Sequence, residues 1–187
     1  MSRIFMLIVV FALCVGLSNN AFAQDAERKT QDLIAALGKT KYKKKEKKNF
    51  SFELYIDIKS EAVVKSNVRD YAGIYQSSDA NYRIELRVVA DGTVEGIGYD
   101  FDFNTSQKQN FTLKDARIEG ALLTATKIYA DGGKEKLEAV FNNRTVTEGK
   151  NPHEINSRET KYGLGFIDLQ ETSTNRVFLE FESNGDS

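Results

Sequence analysis

From Phe50 to Lys59 the chain alternates apolar and polar residues one by one. Phe50, Phe52, Leu54, Ile56 and Ile58 are set against Ser51, Glu53, Tyr55, Asp57 and Lys59. A period of two places the first group on the buried face of a β-strand and the second on the other. The pattern returns at Tyr82, Ile84, Leu86 and Val88, interleaved with Arg83, Glu85 and Arg87, and Asp91-Gly92 then supplies a tight hairpin turn. The next strand opens with Val94 inward. Its larger apolar residues then stand at odd positions (Ile97, Tyr99, Phe101, Phe103), so this reading needs a change of register at Gly96-Ile97-Gly98, where glycine permits a bulge. It leaves Asp100 and Asp102 on the wet face.

The alternation continues to the C-terminus. Phe111, Leu113 and Ile118 lead through Gly120 into a strand over residues 122–129, and Asp131-Gly132-Gly133 gives a second hairpin. Leu137, Ala139 and Phe141 follow, then Tyr162, Leu164 and Phe166 among glycines, then Val177, Leu179 and Phe181. Between these last groups the polar stretch 142–161 carries the single proline, Pro152, and the single histidine, His153, and reads as one long loop. Short connections exclude parallel crossovers, so the expected fold is all-β, an antiparallel meander of eight to nine strands. A meander of that length closes into a barrel to remove its edges. Ahead of it, residues 24–37 change to helical spacing. Leu33, Ile34 and Leu37 share a face that Ala26 and Thr30 extend, and Gly38 stands where the helix must stop.

At Tyr71-Ala72-Gly73-Ile74-Tyr75 the sequence resembles the opening of lipocalin-like (calycin-type) barrels, in which a glycine with an aromatic residue two positions on begins the first strand. Tyr75 stands where true lipocalins carry tryptophan. The resemblance implies a lipocalin-like barrel and carries no particular ligand.

Charge and composition add a compartment and an asymmetry. Arg3, the apolar run 4–17 and the small-residue end Ala21-Phe22-Ala23 have the layout of a cleavable signal peptide, residues 1–23, with the mature chain starting at Gln24. The run is too short to span a bilayer, which takes about 20 apolar residues. An exported chain, periplasmic or secreted, follows. Cys14 leaves with the signal, which excludes a thiol nucleophile, a thiolate metal site and disulfides from the mature protein. Segment 24–48 reads as a short helix and a lysine-rich tether, and 49–187 as one domain. Lys39, Lys41, Lys43, Lys44, Lys45, Lys47 and Lys48 stand against the single Glu46, whereas the body from Asn49 onward is acidic. The expectation is a solvated linker or one folded back on the body, with weak contact to an anionic surface as the alternative. Nucleic acid is not an expected partner for an exported protein.

Catalytic chemistry finds little to use. His153 stands alone in a polar stretch with no nucleophile motif, and one imidazole cannot build a metal site. Asp100-x-Asp102-x-Asn104 begins like a calcium loop, but Thr105 and Phe111 occupy the positions that need glycine and glutamate. The two aspartates, about 7 Å apart on one strand face, leave a carboxylate hydrolase as the third and least favoured reading. The preferred reading is a non-enzymatic barrel, without cofactor or metal, that binds a small apolar ligand or a partner surface. Its lining is expected to be Tyr82, Tyr99, Phe101, Phe103, Phe141, Tyr162 and Phe166, with Gly96, Gly98, Gly163 and Gly165 leaving room. The alternative is a solid-core interaction or inhibitor module that docks through segment 142–161 or an outer face.

Overall fold

The computed structural model describes residues 23–47, 50–89, 93–102, 105–170 and 173–183. The expected signal peptide up to Phe22, the Asp91-Gly92 turn, Lys48 and Phe103 lie outside the described residues. Helix α1 covers 23–37. Ten strands follow: β1 (Lys39–Lys47), β2 (Phe50–Ala62), β3 (Gly73–Gln76), β4 (Arg83–Val88), β5 (Val94–Asp102), β6 (Gln107–Glu119), β7 (Leu122–Tyr129), β8 (Lys134–Asn151), β9 (Glu154–Gln170) and β10 (Ser173–Ser183). Strands β3 to β10 form an antiparallel up-and-down meander. It closes into an eight-stranded barrel where β10 pairs with β3, Phe181 opposite Tyr75. Beyond that pair the register shifts, and Gly73 (φ 150°) lies so close to the Phe181 ring and the Ser183 carbonyl that a Cβ would collide with both.

The inward positions of all eight strands meet in one core. Tyr75, Ile84, Leu86, Leu123, Ala139, Phe141, Leu164 and Leu179 are all 2% exposed or less. One end is closed by a single 3-10 turn, Val68–Tyr71, capped by the Asn67 side chain. The Tyr71 ring stacks 4.2 Å from Phe141, and its hydroxyl donates to the Gly120 carbonyl at 2.8 Å. Helix α1 lies on the outer wall through the face expected of it. Leu37 is buried with Ala121 and Val140, while Leu33 and Ile34 pack beside Ile167. Gly165 lets Leu37 seat, since a Cβ there would stand 2.6 Å from a Leu37 methyl. Lys29 pairs with Glu138 at 2.8 Å, and Arg176 Nε donates to the Ala36 carbonyl at 2.6 Å, where the helix leaves its last carbonyls open.

Two segments expected to be irregular are strands. The polar stretch 142–161 is a long hairpin in which β8 and β9 overrun the barrel and turn at Pro152-His153. The lysine run is β1. On the outer part of β8, β2 pairs from Tyr55 (opposite Gly149) to Ala62 (opposite Asn142), and β1 pairs with β2. The result is a four-stranded arm, ordered β1-β2-β8-β9, that continues the barrel wall. Neither segment shows a period of two with a clean apolar face because the arm has no dry side. Phe52 is 44% exposed, and Leu54, Ile56 and Ile58 are only half-buried. Backbone pairing, not burial, sets the conformation of β1.

The register change expected at Gly96 does not occur. β5 pairs without a shift against β4 and β6 from Val94 through Asp102. Unbroken alternation therefore points Val94, Gly96, Gly98, Asp100 and Asp102 inward and Ile97, Tyr99 and Phe101 outward. Ile97 is 50% exposed. Glycine is needed because the neighbouring strands fill the space: a Cβ on Gly96 would lie 2.6 Å from Leu113 on β6, and one on Gly98 would collide with the Arg83 carbonyl of β4 and lie 2.6 Å from the Phe111 ring. Gly98→Ala is expected to cost about 1–3 kcal/mol through overpacking, and Ile97→Ala under about 1 kcal/mol. Urea denaturation of the two variants checks this, and the opposite order would return Ile97 to the interior.

Candidate functional site

The aromatic residues expected to line one cavity are divided by the wall. Tyr82, Phe141 and Phe166 are buried and point inward. Tyr162 is half-buried near the closed end, its ring centroid 5.8 Å from Phe181, and burial pushes its hydroxyl up to about 12. Tyr99 and Phe101 lie on the outer face, and Phe103 is outside the described residues. Gly96 and Gly98 leave no room for a ligand, because Leu113 and Phe111 stand where their side chains would, and Gly163 and Gly165 point to the outer face, against the Leu179 carbonyl and Leu37. The described interior is packed.

At the end opposite the 3-10 turn the inward residues turn polar. Lys127 on β7, 2% exposed, is held between the rings of Phe111 (5.3 Å) and Phe166 (5.4 Å). Its ammonium lies 2.7 Å from Asp100 and 3.6 Å from Glu135. The Tyr129 hydroxyl bridges the two acids, 2.8 Å from Asp100 and 2.7 Å from Glu135. Burial holds the Asp100 carboxyl above its ordinary value, and Lys127 and Tyr129 oppose that. Tyr82 donates to Asp168 at 2.8 Å, and burial followed by that carboxylate raises its hydroxyl. Asp102, on the same face as Asp100, accepts from Thr105 and Gln109. Asp100 and Glu135 thus share Lys127 and Tyr129, whereas Asp102 and Asp168 have partners of their own. The cluster was hidden in the sequence because the assumed register turned Asp100 to water, and Lys127 reads as one more polar residue in an apolar strand.

Among the described residues no group of three or more His, Cys, Asp or Glu is placed to hold a metal ion. His153 sits exposed at the tip of the arm, its backbone N–H bonded to Asn151.

The outer wall carries candidate surfaces of its own. A groove of about 530 Å³ runs across β4–β7, with Tyr99, Ile97, Ile128 and Thr112 on its walls beside Arg83 and Glu85. The Lys108 ammonium lies 4.1 Å from the Tyr99 ring. A second surface is one face of the arm. Strand alternation and the β1–β2 register set Lys39, Lys41, Lys43 and Lys45 beside Ile58, Ile56, Leu54 and Phe52 in turn. Among the described residues none of these four lysines has a carboxylate partner, whereas Lys44, on the opposite face, reaches Glu46 at 2.8 Å and Glu53 at 3.5 Å. The acids on the lysine face are Glu148 and Glu159 on β8 and β9, and Glu159 lies 3.5 Å from Lys161. Among the described residues no helix is long and apolar enough to cross a membrane.

Comparison with known proteins finds no matching family model, no matching curated protein and no matching solved structure.

Proposed function

We propose that the chain is an exported, non-enzymatic, lipocalin-like barrel that binds through its surface, and that its binding face is the lysine-and-apolar face of the arm, directed at an anionic membrane surface. The observation that carries this reading is the unpaired row Lys39, Lys41, Lys43 and Lys45 running alongside the open apolar row Phe52, Leu54, Ile56 and Ile58. An anionic bilayer offers both complements at once. Charged headgroups attract lysines at about 1 kcal/mol each, and the interfacial region accepts half-exposed apolar side chains. The packed barrel supports the reading by leaving the described interior without space for a ligand. The signal-like N-terminus supports an extracytoplasmic setting, and the Tyr71–Tyr75 segment, which turns into the first barrel strand, supports the lipocalin-like assignment.

Cosedimentation with phosphatidylserine-containing vesicles tests it. Lys41→Gln/Lys43→Gln/Lys45→Gln is expected to weaken binding by roughly a hundredfold at low salt, and the unsubstituted protein should release as salt shortens the Debye length. Salt-independent binding, or equal binding by the triple variant, would overturn the reading. A second reading, an apolar small ligand, is favoured by the groove beside Tyr99, whose volume falls within the roughly 300–1,000 Å³ of small-molecule sites. An apolar fluorescent probe that binds the unsubstituted protein and not Tyr99→Ala would place the ligand there.

A further inference from the structure

Where the arm joins the barrel, its lysine face meets the outer wall of β10 and encloses a hollow of about 280 Å³. Lys39 from β1, Arg144 from β8 and Arg176 from β10 line it, with Ser60, Thr174 and Asn175 as polar neighbours and Phe178 and Ile58 as apolar walls. Among the described residues no carboxylate is in the lining. Arg144 lies over the Phe178 ring, its guanidinium carbon 5.2 Å from the centroid, and burial lowers its pKa from the ordinary arginine value. Among the described residues neither Lys39 nor Arg144 has an acidic partner, and Arg176 spends only its Nε, on the Ala36 carbonyl. Among the described residues two acids stand nearby and both are taken. Glu180, on the outer face of β10, is held by Lys161 at 2.8 Å, and Asp79, in the adjoining hollow, accepts from Ser77 and Asn81.

A half-buried guanidinium without a counter-ion is costly to a fold, and here two arginines and a lysine from three strands are held against one hollow. We propose that this hollow is a binding site for a phosphate ester, with Lys39, Arg144 and Arg176 receiving the phosphoryl oxygens and Phe178 packing against the ester's organic group. Three cations with hydroxyl and amide neighbours suit a dianion with three free oxygens better than a carboxylate, which carries one charge and two oxygens. The volume falls just below the roughly 300 Å³ at which drug-sized sites begin, so the organic group is short or extends out of the hollow. The site goes beyond membrane attraction: it depends on Arg144 and Arg176, which that reading does not use.

Isothermal titration calorimetry of the mature protein with phenyl phosphate, inorganic phosphate and acetate at matched ionic strength tests it. Phenyl phosphate is expected to bind tightest and acetate weakest. Arg144→Gln is expected to weaken phenyl phosphate binding by about tenfold or more, as loss of a charge-assisted hydrogen bond does. Arg176→Gln provides the same test should the first variant fail to fold, and Lys134→Gln, at a distant hairpin, should bind unchanged. Lys41→Gln/Lys43→Gln/Lys45→Gln should keep phenyl phosphate affinity even though it loses vesicles, which separates this site from the diffuse surface. Phosphatidic acid vesicles distinguish the sources. Loss of both soluble and vesicle binding in Arg144→Gln assigns the lipid phosphate as well, and loss of soluble binding alone assigns a soluble ester. Equal affinity for phenyl phosphate and acetate, or unchanged binding in both arginine variants, would overturn the proposal.

Discussion

Replacing Lys127 with methionine is expected to destabilise the protein by about 3–5 kcal/mol, the cost of leaving a buried charge without its partner. The methionine fills the slot between Phe111 and Phe166, so lost packing contributes little. What remains is the Asp100 carboxylate, with Glu135 on the far side of the shared Tyr129 hydroxyl and no ammonium between them. Adding Asp100→Asn should recover most of the loss, because a neutral amide needs no counter-ion and still accepts from Tyr129. The pH dependence follows from the direction of the Asp100 shift. Burial holds its carboxyl above the ordinary value while Lys127 pulls it down, so removing Lys127 raises it further. A raised carboxyl pKa means that the folded state holds the proton more tightly than the unfolded chain does. In Lys127→Met the associated stability is therefore lost as pH rises through the folded-state pKa and fully present below the unfolded one. The deficit against the unsubstituted protein should shrink as pH falls through that raised pKa toward the unfolded value. Urea titrations across that range measure it, and a loss under about 1 kcal/mol at neutral pH would mean the pair is wet rather than buried.

Phe141→Ala should cost a similar amount, about 3–5 kcal/mol, for a different reason. Phe141 is fully buried where β8 passes the closed end of the barrel, with Tyr71 at 4.2 Å and Tyr75 at 5.7 Å between ring centroids. The cavity left by its ring cannot collapse easily, because Tyr71 is held by its hydrogen bond to Gly120 and Tyr75 by one to the Tyr71 carbonyl at 2.7 Å. Its backbone N–H and carbonyl also join the arm to the barrel, through Ala121 at 2.9 Å and Val63 at 2.8 Å. Loosening this residue should therefore loosen the root of the arm as well. Thermal unfolding followed by circular dichroism gives the stability loss, and amide exchange at Val63 should quicken with it. A cost below about 1 kcal/mol would mean that this end of the barrel repacks freely.

Strands β4, β7, the inner part of β8 and β10 were legible because each has one face against the core, and burial on one side writes a period of two into the residues. The helix was legible for the equivalent reason at period 3.6, since Ala26, Thr30, Leu33, Ile34 and Leu37 all meet the outer wall. Closure also followed from the sequence, as eight consecutive strands joined by short turns leave a meander few other ways to hide its edges. The facing of β5 did not. Large apolar residues at 97, 99 and 101 favoured one register, yet Phe111 and Leu113 from β6 claim the space inside and admit only glycine opposite them. That competition is between strands and leaves no mark within either.

The rest of the arm beyond β2 was illegible for a more general reason. Strands β1 and the outer parts of β8 and β9 are held by backbone hydrogen bonds, which are the same for every residue type, so lysine, threonine and glutamate there look like linker. The two candidate sites share this origin. Lys127 and Asp100 are far apart along the chain, as are Lys39, Arg144 and Arg176, and no spacing links them. The sequence by itself determined where most strands and the helix run, and hence the barrel; it did not tell which alternation is buried, since β2 alternates as cleanly as β4 yet leaves Phe52 44% exposed. Only the tertiary structure decided which charges meet, because charge carries no periodicity and its partners are chosen by register and closure.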